Sequence, residues 1–289
     1  NWNDKTRDNI SNVREFLSFA RDKDRSWLID VHDATDITPE AKLGAAAHLR
    51  HSDLLVLDYH LQGDEGGGDV AIAILRGLAD DNHFNLVIVH TMGDNGSIDQ
   101  VVREIALGLT YAEPSVTISK EEDTAITDAI ALWEEEDDQI LSKLDAEISA
   151  DTYLECRSRY PRKPEALLSL PAGKSILEIL KVKPKKVNIK PKQVAHWLLI
   201  KKHGELRSHF SPKMLGNVMV GNSEGINWIK TEKLFVTVLS KVCKPKDFET
   251  KIMEAIKASF LSPHRLLLTK MRAEIENRGL SVEAEILGD

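Results

Sequence analysis

The chain has little cysteine. Among its 289 residues only Cys156 and Cys243 carry a thiol, and they form no CxxC pair. That excludes a disulfide framework, leaves a metal or redox role for them unexpected, and fits a reducing cytoplasm. Long apolar runs are also missing, since none reaches the ~20 residues that a membrane span needs. Aromatic residues are 6% of the chain, and none is interleaved with the lysines of "KVKPKKVNIKPK", 181–192. That spacing argues against a single-strand nucleic-acid binder, which stacks bases on aromatics. No signal peptide opens the chain. It starts at Asn1 without a methionine, so further residues are expected upstream. A hydrophobic share of 42% supplies ordinary cores.

Charge is abundant and divided. Residues 1–150 hold 31 acidic and 12 basic residues, whereas residues 151–289 hold 15 and 26. Halves of opposite sign suggest a boundary near 150, which also matches the size prior of about two domains.

In the first half, apolar spacing predicts helices over 8–20, 38–50, 69–80 and 97–109. Strands are predicted at "SWLIDVHDA" (26–34), "DLLVLD" (53–58), "FNLVIVHT" (84–91) and "SVTISK" (115–120). One long acidic helix is expected over 121–148. Alternation of this kind implies an α/β fold with a doubly wound parallel sheet. The second half reads as a helix-rich α+β domain. The lysine tract 181–192 is expected to be an extended connector, and 224–242 a hairpin or strand pair. Helices are expected in 191–204, 205–219, 246–261 and 263–279.

Doubly wound sheets place their sites at the carboxyl ends of the strands. Asp58, Thr91 and Lys120 each end a predicted buried strand. A carboxylate can attack a phosphoryl group and form an aspartyl phosphate. The transfer then needs positive charge and a hydroxyl at the phosphoryl oxygens. The three residues supply the nucleophile, the hydroxyl and a cation.

"DLLVLDYHL", "LVIVHT" and "VTISK" resemble the phosphoacceptor, switch-hydroxyl and lysine segments of response-regulator receiver domains. The resemblance covers roughly residues 1–135 and implies a flavodoxin-like fold. Residues 136–150 then form an acidic helical connector, and 151–289 a basic interaction or output domain. It implies that Asp58 accepts phosphate from a sensor histidine kinase or phosphotransfer protein, that Thr91 moves toward the phosphate, and that Lys120 pairs with it. It also implies Mg²⁺, held by Asp58, the backbone carbonyl of His60 and an acidic pair expected upstream of Asn1, for which Asp4 is a poor substitute. Met92, where the family usually has a small residue, and His60 are expected to tune phosphate lifetime.

The chain departs from the family pattern elsewhere. Glu121 follows Lys120 where proline is common, and the interval from Thr91 to Lys120 is long. His32, His60 and His90 are not spaced as a metal site.

"INWIKTEKLFVTVLSKV" followed by "PHRLLLTKMRAEIENRGL" resembles the receiver-containing regulator of Detocs-type phage-defence two-component systems. That implies a cytoplasmic protein, not an enzyme, that draws phosphate from an effector. Two alternatives stay open. One is a pseudo-receiver that docks without phosphorylation. The other is a DNA-binding regulator, whose best helix-turn-helix candidate is 193–210 with Lys201, Lys202, His203 and Arg207. Gly173-Lys174-Ser175 lacks the rest of a phosphate loop and is read as chance.

Overall fold

The computed structural model describes residues 7–22, 29–31, 49, 52–61, 67–93, 97–264, 267 and 270–271. They fall into two compact units. The first joins residues 1–102 to 221–289, and the second is the intervening 103–220. The units are thus nested, not sequential as the charge division suggested. No described helix is long and apolar enough to cross a membrane.

The first unit is built on a five-stranded sheet in the order β1-β2-β5-β4-β3. Its strands are β1 (Leu54–Asp58), β2 (Asn85–Thr91), β3 (Met219–Ser223), β4 (Ile226–Lys230) and β5 (Leu234–Ser240). β1, β2 and β5 are parallel, and β4 runs antiparallel to β5. The central pair is apolar without alternation. Val87, Ile88, Val89, Leu234, Phe235 and Val236 are all fully buried, as in a sheet covered on both faces. Helix α1 (Arg7–Ala20) packs against the helix Pro245–Ala258 through Phe16 and Phe248, ring centroids 6.2 Å apart. α2 (Asp69–Asp80) buries Val70, Ile74, Leu75 and Leu78 at helical spacing. The expected hairpin is present as β4 and β5.

Helix α3 (Ile98–Leu109) begins in the first unit and ends in the second. The second unit is helical. It contains α4 (Lys120–Glu134), α5 (Ile140–Ala146), α6 (Ala150–Arg159), α7 (Pro171–Lys181) and α8 (Pro191–Leu206). The chain then returns to the sheet and continues into α9 (Pro245–Ala258).

Several expectations need correction. No strand forms at 115–120. Ser119 instead caps α4 by accepting the Glu122 N–H at 3.1 Å, and Glu121, Glu122 and Asp123 sit in the first helical turn, where negative charge is favoured. The acidic segment 121–148 is not one helix. It breaks between α4 and α5 within the acids 134–138, whose like charges oppose helix, and Asp137 there accepts the Gln139 N–H at 3.2 Å. α8 runs without a turn through Gly204, so 193–210 is not a helix-turn-helix. The helix expected over 205–219 stops after a 3-10 turn at Arg207–His209, and Ser211 instead bridges to Tyr111.

Of the strand expected at 26–34 only 29–31 are described, and these are not in a strand. Asp4 lies outside the described residues, as do nearly all of the helix over 38–50 and most of 263–279. The tract 182–190 is non-helical as expected. It is also anchored, because Val187 and Ile189 are buried and the Lys183 ammonium donates to the Val187 carbonyl at 2.6 Å. Gly173 is structural: a Cβ there would lie 2.0 Å from the Leu167 carbonyl oxygen.

Candidate phosphoacceptor site

Three parallel strands end side by side. Asp58 is opposite His90, and Thr91 is opposite Ser240, so the ends of β1, β2 and β5 line one edge of the sheet. Asp58 and Thr91 are the last residues of β1 and β2, as the sequence predicted. The residue that follows β5 is Lys241.

Lys241 makes the site. Its ammonium donates to Asp58 Oδ2 at 2.8 Å, and the other carboxylate oxygen, Oδ1, accepts the backbone N–H of His60 at 3.2 Å. The lysine side chain is 12% exposed and that of Asp58 36%, so solvent reaches the carboxylate more than the cation. The main chain of Lys241 is pinned as well, donating its N–H to the Thr91 carbonyl at 2.7 Å. Thr91 is fully buried, and its hydroxyl oxygen accepts the Gly93 N–H at 3.0 Å.

Lys120 does not end a strand. It is the exposed first residue of α4, in the second unit. The lysine at Asp58 comes from a strand more than a hundred residues further along the chain, beyond the whole second unit. The signal that marks Lys241 was present: "LFVTVLSK" is an apolar β-branched run ending in lysine, like "LLVLD" and "LVIVHT". "SVTISK" carries a similar signal nearer to Thr91 in sequence.

The surroundings hold the edge in shape. Tyr59, next to Asp58, is buried, and a Cβ on Gly68 would lie 1.9 Å from its ring. Glycine at the start of α2 is therefore required by the tyrosine. The Tyr59 ring meets His60 edge-on, centroids 5.1 Å apart. Burial holds the His90 imidazole below the ordinary histidine range. The Cys243 backbone opposes that shift, Lys241 reinforces it, and Asp58 and the Ser240 backbone oppose it. Met92 is 58% exposed beside Thr91, on the solvent side of the edge.

The described residues do not by themselves fit a magnesium site. Asp58 provides one carboxylate, and no group of three His, Cys, Asp or Glu side chains suited to a metal occurs among the described residues. What the edge does provide is a carboxylate with one oxygen held by an N–H and the other by an ammonium. That ammonium is positioned for negative charge developing at the same place.

No match is found among curated proteins or among solved structures. Residues 21–153, somewhat under half of the chain, match the family model of the response receiver domain. This span includes Asp58 and Thr91 but ends before Lys241. The mixed α/β sheet fits a receiver fold, and the matched stretch is similar to a response receiver domain, a likeness that suggests two-component response regulation.

Proposed function

We propose that this chain is a cytoplasmic two-component regulator that accepts a phosphoryl group on Asp58 from a sensor histidine kinase or a phosphotransfer protein. The observation that carries the reading is the 2.8 Å pair between Lys241 and Asp58 at adjoining strand ends. In the transfer, an Asp58 oxygen forms a bond to phosphorus as the P–N bond of a phosphohistidine breaks. The electron pair returns to the donor imidazole. Lys241 then neutralises one phosphoryl oxygen and the Thr91 hydroxyl holds another. In this reading the pairing lysine is Lys241 and not Lys120. The finer role is a phosphate sink in anti-phage defence, drawing phosphate from an effector protein. Its support is the unbroken α8, which removes the best DNA-reading candidate.

Incubation of the full-length protein with acetyl phosphate and a magnesium salt tests the reading. Intact-protein mass spectrometry is expected to find one phosphoryl group on Asp58 and none on Asp58→Asn. No modification, even with a cognate kinase and ATP present, overturns it. The sink role predicts that adding this protein lowers phosphate on the effector.

A second reading is a pseudo-receiver that docks without phosphorylation. The incomplete set of metal ligands among the described residues favours it. It predicts that Asp58→Asn leaves partner binding unchanged.

A further inference from the structure

The three parallel strands that meet at the Asp58 edge end in the same way. The last residue of each carries a side-chain oxygen that accepts the backbone N–H two residues further on. Asp58 Oδ1 accepts the His60 N–H at 3.2 Å, Thr91 Oγ1 the Gly93 N–H at 3.0 Å, and Ser240 Oγ the Val242 N–H at 3.3 Å. Short polar side chains bend the chain in this manner because their oxygen reaches the backbone just ahead. At Asp58 and Thr91 those oxygens belong to groups that the proposed transfer itself uses. The Ser240 hydroxyl has no part in that transfer.

What Ser240 acts on is the lysine beside it. Lys241 sits inside a four-residue turn, Ser240 to Cys243, closed by the Cys243 N–H on the Ser240 carbonyl at 2.8 Å. Of "SKVC" only the serine is a turn-former. Val242 is β-branched and favours extended strand, and at 78% exposure packing does not hold it in the bend. A lysine ammonium sits at the end of a flexible four-carbon stem, so its placement depends on how firmly its backbone is held. On one side the Lys241 N–H is bonded to the Thr91 carbonyl at 2.7 Å. On the other side the chain is folded back onto Ser240. From this bracket the ammonium reaches Asp58 Oδ2 at 2.8 Å.

We infer that Ser240 is a positioning residue for Lys241, its hydroxyl closing the turn that sets the direction of the lysine stem and so holding the ammonium on Asp58. The inference deepens the phosphoacceptor reading and rests on it.

Two substitutions test it in the full-length protein. Ser240→Ala removes only the hydroxyl, and Ser240→Thr returns it. With acetyl phosphate and a magnesium salt, the rate of Asp58 loading is expected to fall about three- to tenfold in Ser240→Ala, the fold-change that one net hydrogen bond supplies. Ser240→Thr is expected to restore the parent rate. In a Lys241→Ala background Ser240→Ala is expected to cost nothing further, because the serine acts only through the lysine. Parent-like loading in Ser240→Ala, no recovery in Ser240→Thr, or fully additive losses with Lys241→Ala each overturn the inference. If the parent itself does not load, the phosphoacceptor reading fails, and crystal structures of parent and Ser240→Ala decide the role of the serine. An ammonium that leaves hydrogen-bond reach of Asp58 in the variant supports the inference, and one that stays overturns it. Thermal unfolding checks the fold of each variant. Ser240→Val, close in shape to the threonine variant but without the hydroxyl, replaces Ser240→Ala if that variant does not fold.

Discussion

The two units handle charge in opposite ways. The nested helical unit, residues 103–220, contains 18 acidic and 18 basic residues and is neutral. Its acids fall mostly before residue 150 and its bases after it, and the two sets meet. Lys186 reaches Glu135 at 2.9 Å, Lys201 pairs with Asp145, and the Trp197 indole donates to Asp123 at 3.0 Å. Exposed pairs of this kind add little stability. They do account for the charge: a step along the sequence became two sides of one unit, not a border between two. The sheet-bearing unit carries the whole net charge of −8. There the Asp58 carboxylate and the Lys241 ammonium meet at the edge. Pairs such as Lys186–Glu135 spread neutralisation over a surface in the helical unit, whereas in the sheet unit the Lys241–Asp58 pair sits at strand ends where chemistry is possible.

Lys241 and Lys120 lie one in each unit, and their loss is expected to differ most. Lys241→Ala is expected to cut Asp58 loading by about a hundredfold, the scale of removing one preorganised charge partner. Lys120→Ala should leave the rate within about twofold. Equal losses from the two, measured by phosphoprotein mass spectrometry over time, would erase the distinction.

Next in size is the helical unit's own part-buried network around Arg157. Arg157 donates to the carbonyls of Tyr111 and Glu113, both at 2.6 Å, and to the Tyr153 hydroxyl at 2.7 Å. Tyr153 in turn meets His203 Nδ1 at 2.8 Å. Arg157→Leu is expected to destabilise this unit by about 2–3 kcal/mol, since charge-assisted bonds are lost and acceptors are left unpaired. Chemical denaturation followed in the helical unit reads it, and loading of Asp58 should change far less than in Lys241→Ala.

Gly68→Ala sets a Cβ against the Tyr59 ring and is expected to destabilise the sheet unit by about 1–3 kcal/mol, as overpacking does. Because Tyr59 adjoins Asp58, loading should slow as well. A variant that melts like the parent would remove the steric reason for that glycine.

The smallest effect is a pH dependence. Burial, then the Arg157 charge, hold His203 below its ordinary value of 6.5, while the Ala112 backbone opposes them. The folded state therefore binds fewer protons there than the unfolded chain. This contribution to stability is complete above the ordinary value and is lost as pH falls below it toward the lowered folded-state value. His203→Gln is expected to flatten that part of the stability profile, measured by thermal unfolding between about pH 7 and pH 5.

Much of the fold was legible because local rules dominated. β1, β2, α2 and α3 lie where periodicity placed them, since an unbroken apolar run or a helical stripe has few other ways to be buried. Reading failed at "SVTISK", where a β-branched run suggested a strand. The serine at 119, with acids following it, makes a stronger local case for a helix start, and the backbone obeyed the cap. Asp58 and Thr91 could be found because each terminates its own strand. Lys241 could not be joined to them, because sequence order says nothing about which strand pairs with β2 across an intervening domain.

The amino-acid sequence by itself determined the strand that ends in Asp58, the strand that ends in Thr91, and the apolar character that buries both. Each of these depends only on side chains close together along the chain. Tertiary structure alone decided that β5 lies beside β2, that residues 103–220 form a compact unit of their own, and that Lys241 reaches Asp58. Long-range strand pairing is set by which apolar faces can be buried together, and that outcome belongs to the folded whole.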